Sequence, residues 1–269
     1  MTRVVTACAL LALVAPFAAP AASVSPERLR ELLGSAQTAF DEATAAARSD
    51  PAGAAGLYRQ SAAAFDSVAA AGVISAGLEF NRGNTHFRLG NVGRAIVHYR
   101  RGLRLQPRDA DLRANLAYAR LRVEPQLPSG ESERLVERLL FFHYKTSLRE
   151  RFWLAALLAG GGWLLLTVRI WRPVKPLAAC GLTLVLLGAT FSVSALWQLQ
   201  AEAAAPAAVV VGEPQTLRQG RGEAYEAVLR EALGPGVELR ILESRGEWVE
   251  VRLSNGQSGW LPRSAVEPI

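Results

Sequence analysis

Histidine, cysteine and paired carboxylates are the residues with which a chain would bind metal or do catalysis, and here they are sparse. The three histidines, His86, His98 and His143, have no cysteine or carboxylate beside them at zinc-ligand spacing. Cys8 lies in an apolar N-terminal stretch and Cys180 in a long apolar run, so removal of the first leaves one thiol and no intramolecular disulfide. No phosphate-binding glycine–lysine loop, dinucleotide glycine motif or nucleophile elbow occurs. The expectation is a non-catalytic protein with no catalytic residues, no metal and no cofactor, in which His86 and His98 serve packing.

Charge points instead to binding. Arg82, Arg88, Arg94, Arg100, Arg101, Arg104 and Arg108 follow one another with no Asp or Glu between them. A solvated helix normally mixes signs. The run fits an acidic partner or anionic lipid headgroups, or else a plain solvated face. The part after Ala207 has the opposite balance, with seven Arg against nine Glu.

These residues must be positioned by elements that the hydropathy pattern defines. Phe152–Val168 and Leu177–Trp197 contain no charge. About 20 apolar residues cross a bilayer core, and spans at 152–171 and 177–197 meet that length. Trp153, Trp171 and Trp197 sit near span ends, as an interfacial aromatic belt requires. Only R-I-W-R-P-V-K-P separates the spans, enough for a tight hairpin whose Arg169, Arg172 and Lys175 should face the cytoplasm. The alternative is a pair of buried helices in a soluble core. Glycines 160–162 should allow close helix packing.

The N-terminus has a short basic region, an apolar core and the small-residue site A-A-P-A-A-S. This is the pattern of a secretory signal peptide at 1–21. Export followed by two crossings places both soluble parts outside the cytoplasm, as two domains of a multi-pass membrane protein. Nucleic acid is then not an expected partner.

Ser25-Pro26-Glu27 opens a helical region that runs to Arg122. Within it, L-E-F-N-R-G-N-T-H-F-R-L-G-N-V-G-R-A-I-V-H-Y-R-R-G-L-R-L-Q-P at 78–107 resembles a tetratricopeptide repeat. Gly83 matches the small residue at the helix crossing, Gly90 the turn, Ala95 and Tyr99 the second-helix pair, and Pro107 the closing proline. Arg82 and His86 depart from the usual Leu and Tyr. The period extends back to Phe65 and forward to Ala117, giving about three units over 22–122. The resemblance implies a concave peptide groove carrying Phe80, Asn84, Phe87 and Arg88, joined by Tyr118 and Arg122, with Arg100 and Arg101 on the outer face. Taken singly, Phe80 and Phe87 read by default as inter-repeat core.

Residues 123–151 form a linker and juxtamembrane helix, which either lies on the bilayer or packs on the repeats. Ser147 and Glu150 form a capping box for the first span. After Pro206 the pattern alternates: Val237, Leu239 and Ile241, then Val249, Val251 and Leu253, with S-N-G-Q as a hairpin signal. The pieces around Trp248 and Gly259-Trp260 resemble a bacterial SH3 domain over 207–269. That resemblance implies a groove drawn from Tyr225, Trp248 and Trp260.

The expected fold class is thus multi-domain: an all-α tetratricopeptide-repeat solenoid, a two-helix transmembrane hairpin and an all-β SH3-like barrel. The whole order resembles the E-type proteins of the Bacteroides aerotolerance (Bat) group. The resemblance implies partnership with membrane-anchored von Willebrand factor A-type proteins and a MoxR-type ATPase in stress tolerance or envelope assembly. Two functions follow as expectations: an interaction scaffold, or a tether whose barrel binds peptidoglycan.

Overall fold

The computed structural model describes residues 24–127 and 146–269. The leader read at 1–21 and the helix read at 131–144 lie outside the described residues. Short polar side chains start most of the helices that precede the hairpin. Ser25 caps α1 (Pro26–Ala46), accepting the Arg28 amide at 3.2 Å, with Pro26 at the first helical position. Asp50, Ser75 and Asp109 cap α2 (Pro51–Ala70), α3 (Ala76–Arg88) and α5 (Ala110–Arg120) in the same way. Before α4 (Val92–Leu105) the chain turns at Gly90, whose φ of 78° favours glycine.

Each of these helices packs on the one before it. The α3–α4 crossing is close because position 83 has no side chain. A β-carbon there would fall 2.4 Å from Cε1 of Tyr99, whose ring is buried against Gly83. The α4–α5 crossing repeats the device, with Gly102 beneath the methyls of Leu112. Ala95 is fully buried in the same core.

The two apolar stretches are helices, α6 (Leu148–Trp171) and α7 (Lys175–Ala204), both long and apolar enough to cross a membrane. They extend beyond the spans read at 152–171 and 177–197. The Ser147–Glu150 capping box starts α6. The two helices meet along a seam of small residues. A β-carbon on Gly162 would lie 2.7 Å from the Gly181 carbonyl oxygen, and one on Gly188 would lie 2.9 Å from the Ala159 amide nitrogen. Gly160, in contrast, faces open space. At the open end of the hairpin Arg151 is buried between the helices. It donates to the Ser194 carbonyl at 3.2 Å, to the Ser194 hydroxyl at 3.1 Å and to the Gln198 side chain.

The C-terminal part is a five-stranded antiparallel sheet in the order β4-β3-β2-β1-β5. Its strands are β1 (Ala207–Val210), β2 (Glu238–Arg245), β3 (Trp248–Leu253), β4 (Ser258–Pro262) and β5 (Val266–Pro268). Alternation buries Val249, Val251 and Leu253 and turns Trp248, Glu250 and Arg252 to the other face. The S-N-G-Q turn places Gly256 at φ 86°, joining β3 to β4.

In sequence the two soluble parts stand apart; in the structure they join. One hydrophobic core runs from Ile96, Tyr99, Leu112 and Leu116 into Val209, Val210, Leu239 and Val251. The join depends on Gly93, whose β-carbon would fall 2.4 Å from the Val210 carbonyl oxygen. Gly236 sits against Ile96 and Val123, and the Gly234 amide donates to the Glu124 carbonyl at 2.8 Å. Helices α1–α5 and the sheet thus form a single head on the hairpin. Arg104 reaches Glu202 of α7 at 3.3 Å, and Arg108 pairs with Glu150 of α6.

Candidate functional site

On the helical side, three expected groove residues come together at the surface. The Phe87 and Tyr118 rings lie 5.5 Å apart, and the Arg122 guanidinium stands 5.6 Å from each centroid. Tyr118 is 53% exposed, and Arg88 is exposed at the end of α3. Phe87 is half-buried against the shared core, so the exposed Tyr118 ring with a cation over it is what offers a planar apolar contact and a charge to one ligand. Phe80 and Phe87 both pack against the shared core, and of the two only Phe87 also meets Tyr118 and Arg122. Asn84 is half-buried, and its amide oxygen accepts from the Tyr99 hydroxyl at 2.9 Å and the Asn115 amide at 2.8 Å, so it ties three helices together. Burial pushes the Tyr99 phenol up, so it remains a donor. Pro107 lines a cleft between the α4–α5 turn and the start of α6.

The arginine run is not uncompensated, because its carboxylates come from elsewhere in the chain. Arg82 pairs with Asp66 at 2.7 Å and Glu79 at 3.1 Å. Arg100 faces Glu238 at 3.3 Å, with Arg120 on the other side of the same carboxylate at 2.6 Å. Arg101 meets Glu267 at 3.1 Å, and Arg94 approaches it at 3.9 Å. Arg101 and Arg104 also donate to the backbone carbonyls of Pro268 and Ile269. Arg100 and Arg101, placed on an outer face by the sequence, therefore lie at the junction of α4 with the sheet. Burial pulls the Arg100 guanidinium below its ordinary pKa, while Glu238 opposes this. Glu238 and Glu267 of the mildly acidic sheet are the carboxylates that Arg94, Arg100 and Arg101 receive within the chain.

His86 and His98 have more than packing roles. His98 Nδ1 lies 2.7 Å from Glu79 Oε2, and the His86 ring stacks on His98 at 5.2 Å. Burial pushes the Glu79 carboxyl up, but the His98 hydrogen bond and the charges of His98, Arg82 and Arg101 outweigh it and hold the carboxyl below its ordinary value. Burial, then the His98 charge, lowers His86 to about 4. Both rings are buried, so this cluster fixes the α3–α4 pair and is closed to a substrate. Among the described residues no group of three metal-ligating side chains occurs.

On the sheet, Trp248 and Trp260 occupy diagonal positions on one face, since Trp260 opposes Glu250 and Trp248 opposes Pro262. The long β1–β2 connection pairs along the edge of β4. Arg218 exchanges backbone hydrogen bonds with Trp260 at 3.0 and 2.7 Å, and its guanidinium donates to the Tyr225 carbonyl at 2.9 Å. Arg221 stands 5.6 Å over the Trp260 ring. Tyr225 is 53% exposed and lies against Gly220, where a β-carbon would be 2.5 Å from its ring. Arg221 is absent from the residues expected from sequence, because the loop that carries it lacks periodicity. The signal available there is the pair Gly220 and Gly222 flanking it, which lets the loop approach an aromatic closely.

No curated protein matches the chain. Residues 211–268 match the family model described as the bacterial SH3 domain, and with the antiparallel five-stranded sheet this identifies the C-terminal part of the head as a bacterial SH3 domain.

Proposed function

We propose that the chain is a non-catalytic interaction scaffold, anchored by its hairpin and presenting helical repeats and an SH3 domain as one head. The observation that carries this reading is the shared core across Gly93 and Val210. It fixes the Phe87–Tyr118–Arg122 cluster relative to the SH3 face, so a partner meets a composite surface. The helices α1–α5 are tetratricopeptide repeats in this reading, and the partners are von Willebrand factor A-type proteins of a Bat-type complex working with a MoxR-type ATPase. The same join supports the topology. Residues before and after the hairpin share a core, which fits their lying on one side of the bilayer after two crossings. The leader makes that side the periplasm, with Arg172 and Lys175 in the cytoplasm.

The test is partner capture by the full chain in native membranes. Arg88→Ala with Arg122→Ala should weaken capture most at low salt, since exposed charges act mainly on association and are screened beyond about 8–10 Å at physiological salt. Unchanged capture at every salt would rule out the groove. A second reading, a peptidoglycan tether, is favoured by the exposed Tyr225 beside Arg221 and Trp260. It requires the solubilised chain to sediment with purified cell wall and Tyr225→Ala to abolish this.

A further inference from the structure

The α4–α5 turn and the first turns of α6 enclose a cleft of about 770 Å³. Its head side carries Pro107 and Arg108; its hairpin side carries Arg149, Trp153, Leu154 and Leu157. Arg149, Trp153 and Leu157 recur every four residues, so they lie on one face of α6. With a rise of about 1.5 Å per residue, cation, indole and aliphatic chain follow one another over roughly 12 Å. A bilayer leaflet changes in that order, from a headgroup layer about 5–7 Å deep into hydrocarbon, with Trp favoured at the boundary. Trp153 and Leu157 are exposed, so the apolar wall continues onto the outer surface of the hairpin.

The cleft also contains two carboxylates, and both are committed. Glu150 accepts the Ser147 amide at 2.8 Å and the Ser147 hydroxyl at 3.2 Å, and it pairs with Arg108. Asp109 caps α5 through the Leu112 amide at 2.9 Å. Arg149 is exposed and has no ion pair among the described residues. Its fork of donors suits a phosphate oxygen pair.

We propose that this cleft holds one anionic phospholipid from the adjoining leaflet, its phosphate on Arg149 beside Arg108 and an acyl chain along Trp153, Leu154 and Leu157. The site rests on the hairpin crossing the bilayer and not on what the head binds. Release of the chain from membranes by alkaline carbonate would refute the crossing itself, and the lipid site with it.

The lipid is tested on the full chain reconstituted in equimolar phosphatidylglycerol and phosphatidylcholine, then extracted gently for native mass spectrometry. The expected result is one retained phosphatidylglycerol in preference to phosphatidylcholine. Arg149→Gln should cut that preference about fivefold, the factor equivalent to the ~1 kcal/mol of a single cation near an anionic surface. Arg149→Lys should keep most of it, which separates lost charge from a misfolded helix. Arg172→Gln, at the far end of the hairpin, should leave it unchanged. Retention without headgroup preference, or equal effects of Arg149→Gln and Arg172→Gln, would overturn the site. So would displacement of the lipid by excess inorganic phosphate, which would assign the arginine to a free anion.

Discussion

Gly93 on α4 lies so close to Val210 on β1 that a β-carbon would fall 2.4 Å from the Val210 carbonyl oxygen and 3.2 Å from the Gly236 amide nitrogen. Both neighbours are backbone, which cannot rotate aside. Gly93→Leu should therefore separate the sheet from the helices, at a cost of about 1–3 kcal/mol or more from overpacking. The expected outcome in calorimetry is two transitions in place of one for the head. A single transition at the wild-type temperature would mean that the helices and the SH3 domain do not share a core.

The charge join predicts a second effect. Glu238 stands between Arg100 and Arg120, at 3.3 and 2.6 Å. Glu238→Gln leaves both cations facing an uncharged group. The pairs are partly exposed, so the loss should be about 1–2 kcal/mol, below that of a fully buried pair. Urea unfolding of the variant against wild type measures it. A midpoint equal to wild type would return Arg100 to the role of a solvated cation.

Acid should weaken the helical pair α3–α4 for two reasons of the same sign. His86 is lowered to about 4 in the folded chain from an ordinary value of 6.5, so the unfolded chain takes up its proton first. Stability is then lost as pH falls from 6.5 towards 4. Glu79 is also held below its ordinary value, so its contribution is present above that value and is lost as pH falls through the folded one. Thermal melts across this range should show the decline, and His86→Phe should flatten its upper part. A melting temperature independent of pH between 6.5 and 4 would contradict the buried histidine assignment.

The helix starts, the two apolar helices and the alternation of β2 and β3 were legible in the sequence, because each depends on neighbours within a few residues. Ser25-Pro26 and Ser147 with Glu150 are signals of this local kind. The union of the head was not legible. Gly93 carries no local signal, and its use appears only when β1, more than a hundred residues later, docks on it. The arginine run misled for the same reason: its carboxylates, Glu202, Glu238 and Glu267, are remote in sequence. The hydrogen bonds that join Asn84 to the Tyr99 hydroxyl and the Asn115 amide were not legible either, because both partners lie on later helices. Arg221 lies in a connection without periodicity, so nothing local pairs it with Trp260.

The scaffold reading is tested most directly by a photo-crosslinking amino acid placed at Tyr118 in the full chain in living cells. Tyr118 is exposed beside Phe87 and Arg122, and a partner seated on that cluster must touch it. The expected result is a discrete covalent adduct with an envelope protein, lost when Arg122→Ala is added and absent when the probe is moved to the exposed Arg59 on α2. No adduct at Tyr118, or the same adduct from both positions, would contradict the scaffold.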